Sequence, residues 1–169
     1  MTISKNPQII HDMFNQIAGK YDINNNLISF GMHKFVKFLS VKNLDIEPEM
    51  RVLDECTGTG DFAKFLLKLC PDLEVVGVDF SENMLKIAEK KVPRAKFLKA
   101  DCTKLPFLDE TFDIATMGFG LRNIEDYGSA ISESFRVLKS GGQFLHLDFG
   151  QKNLPSKVFD FIVPPLIKV

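Results

Sequence analysis

The sequence predicts an α/β domain built on a doubly wound, mostly parallel sheet, and three observations carry that expectation. Short apolar strands alternate with amphipathic helical stretches from Arg51 onward, the pattern of repeated strand–helix–strand units. One of these strands, Val75-Val76-Gly77-Val78, is apolar without alternation, as a strand covered on both faces must be. A glycine loop, Gly58-Thr59-Gly60, follows the first strand directly, where open α/β sheets hold their ligands.

The elements follow in order. Asn6 and Pro7 form a cap followed by proline in the first turn, and Ile9, Ile10, Met13, Phe14 and Ile17 recur at helical spacing; a helix is expected there, stopped by Gly19. Residues 20–31 read as an apolar loop, and residues 32–43 as a second helix with Phe35, Phe38 and Leu39 on one face. Strands are expected at 51–54, 74–79, 95–100, 112–117 and 143–148. Helices fall between them at 61–69, at 82–91 behind the cap Ser81, and at 129–138, the last ended by Ser140-Gly141-Gly142. A final apolar helix is expected after Pro155, interrupted by Pro164 and Pro165. Residues 1–45 then form a helical arm, and residues 46–169 one compact ligand-binding unit.

Composition narrows the function. A chain of 169 residues fits one domain. Its net charge of -1, with Lys and Arg scattered, gives no electrostatic footprint for nucleic acid. Cys56, Cys70 and Cys102 are an odd number without CxxC spacing, which argues against a disulfide framework or a zinc site and fits a reducing cytoplasm. No metal-ligand spacing occurs among His, Cys and acids, so metal-free chemistry is expected. No leader opens the chain and no run of 18 apolar residues crosses a membrane. Sixteen Phe against two Tyr suggest a Phe-filled core.

The glycine loop points to a nucleotide-like cofactor. Gly58 and Gly60 let the backbone approach a ligand, and the following helix offers free N–H groups at its positive end. Asp79 closes the second strand about 20 residues later, where an acid accepts hydrogen bonds from ribose hydroxyls. Three details separate the candidates. The dinucleotide pattern GxGxxG is absent, since Ala63 stands at its third glycine. Asp54 and Asp61 flank the loop, and carboxylates there would repel a pyrophosphate but suit the sulfonium and ammonium of S-adenosylmethionine. Asp101 follows the third strand, where it can accept a hydrogen bond from the adenine amino group.

Several motifs together resemble a class I S-adenosylmethionine methyltransferase: Val52-Leu53-Asp54 with the glycine loop, Gly77-x-Asp79, Ala100-Asp101, Leu105-Pro106-Phe107, and Arg136-Val137-Leu138-Lys139 before Gly141-Gly142. Two further segments resemble the UbiE/MenG/Coq5 family, C-methyltransferases of ubiquinone and menaquinone biosynthesis. They are Gly118-Phe119-Gly120-Leu121-Arg122-Asn123-Ile124 and the arm from Phe14-Asn15-Gln16-Ile17-Ala18 through Lys20-Tyr21-Asp22 to Leu27-Ile28-Ser29-Phe30-Gly31-Met32-His33. The resemblance implies S-adenosylmethionine as cofactor, with Asp54, Gly58, Thr59, Gly60, Asp79, Asp101 and Gly118 around it, Cys102 contributing backbone, and Phe80 on the adenine face. Glu55 departs from the family's apolar residue, and a charge at the end of a buried strand is costly unless paired or wetted. Family members also continue beyond the position of Val169. A truncated chain lacking the last two strands is therefore expected, with an exposed sheet edge that invites homodimerisation or other self-association.

The implied substrate is an isoprenoid quinol, a demethylmenaquinol or a ubiquinol precursor, methylated on a ring carbon. That carbon becomes nucleophilic when the neighbouring hydroxyl is a phenolate, so the protein must stabilise the anion and exclude water. Arg122 is the expected electrostatic stabiliser rather than a base, because a guanidinium keeps its proton in proteins. Asn123 would orient a ring oxygen, and Tyr21 would close the arm as a lid. Asp148 is a candidate proton acceptor, His146 is expected to pack locally, and His11 and His33 to lie at the surface. The isoprenoid tail implies peripheral contact with the inner membrane of a cytoplasmic protein. Two other readings stay open: an O- or N-methyltransferase for another small molecule, and a truncated cofactor-binding fragment without turnover.

Overall fold

A computed structural model describes residues 6–148 and 167–168. Two helices open the chain, α1 (Pro7–Ser29) and α2 (Met32–Val41). An α/β unit follows: β1 (Arg51–Glu55), α3 (Asp61–Leu69), β2 (Glu74–Asp79), α4 (Glu82–Lys91), β3 (Lys96–Lys99), β4 (Phe112–Gly118), α5 (Tyr127–Val137) and β5 (Leu138–Leu147). The sheet order is β3-β2-β1-β4-β5-β6, with the first five strands parallel. The expected doubly wound fold is thus present. At the far edge Ile167–Lys168, β6, pairs antiparallel with β5. The helix expected after Pro155 lies outside the described residues.

Strand order reverses between β1 and β4, so their carboxyl ends open a crevice there. The period of two along β1 sends its side chains to opposite faces. On one face Val52 packs with Ile114, Leu145, Phe62 and Leu66; on the other Leu53 packs with Ala115, Phe144, Ala130 and Val137. Asp54 follows Val52 and Glu55 follows Leu53, so two neighbouring acids enter two different cores, and each is fully buried.

Three expectations need correction. Gly19 does not stop α1, which runs 23 residues and absorbs the expected loop at 20–31. A helical glycine costs only about 1 kcal/mol relative to alanine, and Ala18 before it and Tyr21 after it carry the inward face across it. The helix ends instead where Phe30 and Gly31 take left-handed backbone (φ 49° and 76°) and the N–H of Phe30 bonds the Asn26 carbonyl. In α2 the buried face is His33, Val36 and Ser40, spaced three and four apart, while Phe35 is exposed. Finally, α5 passes into β5 at Leu138 without a glycine stop. Ser140-Gly141-Gly142 is a bulge, across which the register with β4 shifts from Phe112 opposite Leu138 to Ile114 opposite Gln143.

Candidate active site

A cavity of about 320 Å³ opens at the carboxyl ends of the strands, within the size range of small-molecule sites. Gly58, Asp79, Asp101 and Cys102 line its sheet side, and Gly118, Phe119 and Asn123 its far side. Helix α1 roofs it with Pro7, Ile10, Phe14 and Tyr21. Phe80 also lines it, half-exposed, its ring edge-on to His11 at 5.2 Å between centroids.

The glycine loop is organised from below. Asp54 accepts hydrogen bonds from the Thr57 hydroxyl (2.5 Å) and the Thr116 hydroxyl (2.8 Å). Burial pushes its carboxyl up to about 6 against these bonds. Asp79 accepts from the backbone N–H of Gly58 (2.8 Å) and of Ser81 (2.8 Å), so the same carboxylate positions the loop and the start of α4. Burial raises this carboxyl too, opposed by those N–H groups. Gly58 takes φ 56°, and a Cβ built on it would meet nothing nearer than the Cys56 carbonyl oxygen at 4.0 Å. The loop therefore presents bare backbone to open cavity. Gly118 permits a different approach: a Cβ there would lie 2.1 Å from the Phe62 ring, so this glycine lets α3 pack against the end of β4.

The structure sorts the expected cofactor residues into two groups. Gly58, Asp79, Phe80, Asp101, Cys102 and Gly118 reach the cavity wall; Asp54, Thr59 and Gly60 do not. Asp54 lies beneath the loop as its buried acceptor. Thr59 donates to Asp22 on α1 (2.7 Å), and Gly60 begins α3 with φ 81°. The electrostatic argument from Asp61 also changes. Its carboxylate is buried between Lys37 (3.2 Å) and Lys91 (2.8 Å). Burial pushes Asp61 up, but the two ammonium groups more than offset it and hold the carboxyl well below the ordinary range. It faces lysines rather than the cavity, and neither lysine was legible as its partner because both are remote in sequence.

Of the expected catalytic residues, Tyr21 and Asn123 line the cavity and Arg122 does not. Arg122 lies in a short 3-10 turn, Leu121–Asn123, with its guanidinium 3.2 Å from Asp148 and over the Phe119 ring at 5.6 Å. Asn123 donates to the Phe119 carbonyl (3.3 Å). Asp148 also lies 4.0 Å from His146, which stacks on Phe144 as local packing predicts, and burial lowers that imidazole. His33 is buried rather than exposed, its Nδ1 sharing a 2.6 Å hydrogen bond with Ser29. Glu55 is paired at one oxygen only: the Ser134 hydroxyl donates to Oε2 at 2.9 Å, and Oε1 is buried without a hydrogen-bond partner. Burial pushes its carboxyl up to about 8, so it is mostly protonated at neutral pH. Among the described residues no cluster could hold a metal ion, and no helix is long and apolar enough to cross a membrane.

Sequence reasoning did not anticipate the apolar roof made by Pro7 and Ile10, since a helix face filled with apolar residues reads equally as core. It also missed the polar seam that fastens the roof. Asn15 on α1 accepts from the Ser81 hydroxyl (2.6 Å), and Asp22 pairs with Lys91 (2.7 Å) on α4.

Residues 1–163 match the ubiE/COQ5 methyltransferase family. A demethylmenaquinone methyltransferase of Staphylococcus aureus is 40% identical over 94% of the chain and 70% of its own length. Among solved structures, an S-adenosylmethionine-dependent methyltransferase from Thermotoga maritima aligns with a TM-score of 0.66 and 30% identity over 81% of this chain and 60% of that one. The YcgJ protein of Bacillus aligns with a TM-score of 0.60 and 33% identity over 66% of this chain; the match spans about half of that protein's length (49%).

Proposed function

Because the chain belongs to the ubiE/COQ5 methyltransferase family, we propose that it methylates a ring carbon of an isoprenoid quinol, a demethylmenaquinol or a ubiquinol precursor, with S-adenosylmethionine as methyl donor. The observation that carries this reading is one cavity with two chemical ends, a glycine loop flanked by Asp79 and Asp101 and an apolar roof of Ile10, Phe14 and Tyr21. The open space over Gly58 fits the cofactor, since a side chain there would fill the position that bare backbone leaves. When bound, S-adenosylmethionine supplies an electrophilic methyl group on a sulfonium.

The chain's own residues would do the rest. Asp79, already fixed by two N–H groups, accepts from ribose hydroxyls, and Asp101 accepts from the adenine amino group. Arg122 stabilises the quinol phenolate. To do so its guanidinium would turn from Asp148, 3.2 Å away, toward the cavity. Asp148, 3.2 Å from Arg122 and 4.0 Å from His146, is the acceptor we assign to the proton lost from the ring. Asn123 orients a ring oxygen, and residues 1–45 act as the lid that excludes water. The test is methyl transfer to a short-tailed demethylmenaquinol, with the product's methyl assigned to carbon by NMR. Arg122→Gln should lower kcat by about 100-fold, a loss of ~2.7 kcal/mol of transition-state stabilisation, and leave cofactor affinity unchanged. A methyl found on oxygen, or an unaltered kcat, would refute the assigned chemistry.

An apolar corner where α1 meets α2 supports contact with a membrane surface. Leu27, Ile28 and Phe30 are 69%, 81% and 96% exposed there, close to the roof a tailed substrate would pass. Co-sedimentation with phospholipid vesicles should fall several-fold in Phe30→Ser; equal binding would remove this corner as the contact.

A further inference from the structure

We propose that Cys56 and Cys102 are a reversible dithiol–disulfide pair set in the cofactor cavity, and that closing the bridge blocks the cofactor. The two thiols come from different walls. Cys56 follows β1 and Cys102 follows β3, with β2 between them in the sheet. They meet at the carboxyl end of β2 with their sulfurs 3.6 Å apart, and both line the cavity beside Gly58 and Asp101.

The backbone holds this approach in place. Cys56 has left-handed geometry, φ 51°, which a residue with a Cβ seldom adopts and which aims its side chain off the strand direction. Gly120 makes room for it: a Cβ at that glycine would lie 2.5 Å from the Cys56 Cβ and 2.7 Å from its sulfur. Cys56 thus packs directly on the Gly120 backbone and is backed toward Cys102. Cys70 is not part of this arrangement, since it caps the C-terminus of α3 away from the cavity wall.

Both thiols are free in the structure. The hydrogen bond with Cys102, and then burial, push the Cys56 thiol well above its ordinary range, and a thiol that is not ionised reacts slowly. The oxidant that suits a small cavity is a hydroperoxide. One sulfur attacks a peroxide oxygen, giving a sulfenic acid and, from hydrogen peroxide, one water. The second sulfur displaces the hydroxyl from the first, and a second water leaves with the remaining thiol proton. Two electrons pass from the sulfurs to the peroxide oxygens. A disulfide is about 2.05 Å long, so closure draws the loop after β1 and the loop after β3 together across the mouth between Gly58 and Asp101. The effect on the cofactor rests on the functional reading above; the bridge itself does not.

The 169-residue protein treated with hydrogen peroxide tests both parts. The expected result is loss of two of the three thiols, a mapped Cys56–Cys102 cross-link, and at least tenfold weaker binding of S-adenosylhomocysteine, all reversed by a thiol reductant. Bound S-adenosylhomocysteine should slow the oxidation. Cys70→Ser should behave as the parent does, whereas Cys56→Ser should show the same affinity with and without peroxide. Three surviving thiols, a sulfinic acid without a cross-link, or a bridge to Cys70 would overturn the pair. A mapped bridge with unaltered affinity would overturn the blockade. If the reduced protein does not bind S-adenosylhomocysteine at all, the cofactor reading fails, and the peptide map still decides whether the pair exists.

Discussion

The two walls of the cavity are held by different forces. On the sheet side, the buried Asp54 accepts from Thr57 in the loop and Thr116 on β4, the half-buried Asp79 accepts from Gly58 in the loop and from Ser81 at the start of α4, and both faces of β1 are sealed by apolar side chains. On the roof side, α1 carries one buried residue in 23, Ala18, and is fastened by side chains at a few points. Asn15 meets Ser81 and Asn83, and Asp22 joins Thr59 and Lys91. A wall set by burial cannot shift without exposing core, whereas one set by a few polar contacts can open. The contrast predicts that the roof yields before the cofactor end does.

The strongest way to break this contrast is to damage the sheet wall. Asp79→Ala removes the acceptor for Gly58 and Ser81 together with the expected ribose contact, and charged hydrogen bonds are worth about 1.5–3 kcal/mol each. Cofactor affinity, measured by calorimetry, should fall by two to three orders of magnitude, roughly 3–4 kcal/mol; a loss below tenfold would remove Asp79 from the site.

Glu55 probes the same wall through pH. Its carboxyl is raised to about 8 in the folded protein, so between the ordinary glutamate range and pH 8 the folded state holds a proton that the unfolded chain has released. Stability is therefore highest below that window and falls as pH rises through it. Glu55→Gln keeps the shape of the protonated acid without the proton. It should gain about 2–3 kcal/mol over the parent at pH 8 and little at pH 5 in denaturant melts. A gain independent of pH would mean that Glu55 is not buried as a neutral acid.

The smallest effect belongs to the roof. Asp22→Asn weakens the half-buried pair with Lys91, a loss of about 1 kcal/mol, and should leave global stability nearly unchanged. Proteolysis within α1 should become several-fold faster, and KM for the quinol should rise more than kcat falls. A global loss comparable to a core substitution would show that arm and sheet are one rigid body.

How much was legible follows the same division. The glycine loop, Asp79, the Ser81 cap and the bounds of α3, β2 and α4 were readable because each rests on a local rule: period, cap, or a glycine where backbone must come close. Gly19 and Ser140-Gly141-Gly142 misled, because a glycine signals a break only where packing does not override it. The long α1 and the bulge in β5 were decided by what lies across from them. Arg122 and Asn123 are adjacent in sequence, yet one reaches the cavity wall and the other turns to Asp148.

The sequence by itself determined the fold class, the cofactor type and the family, since strand–helix alternation and the two signature segments are written in consecutive residues. Tertiary structure alone decided that Asp54 works beneath the loop, that Asp61 is neutralised by Lys37 and Lys91, that Glu55 is buried as an acid, and that Cys56 meets Cys102. Each of these depends on partners from separate strands and helices. Burial and Coulomb interaction act through space, over a few ångströms, between residues that the chain keeps far apart.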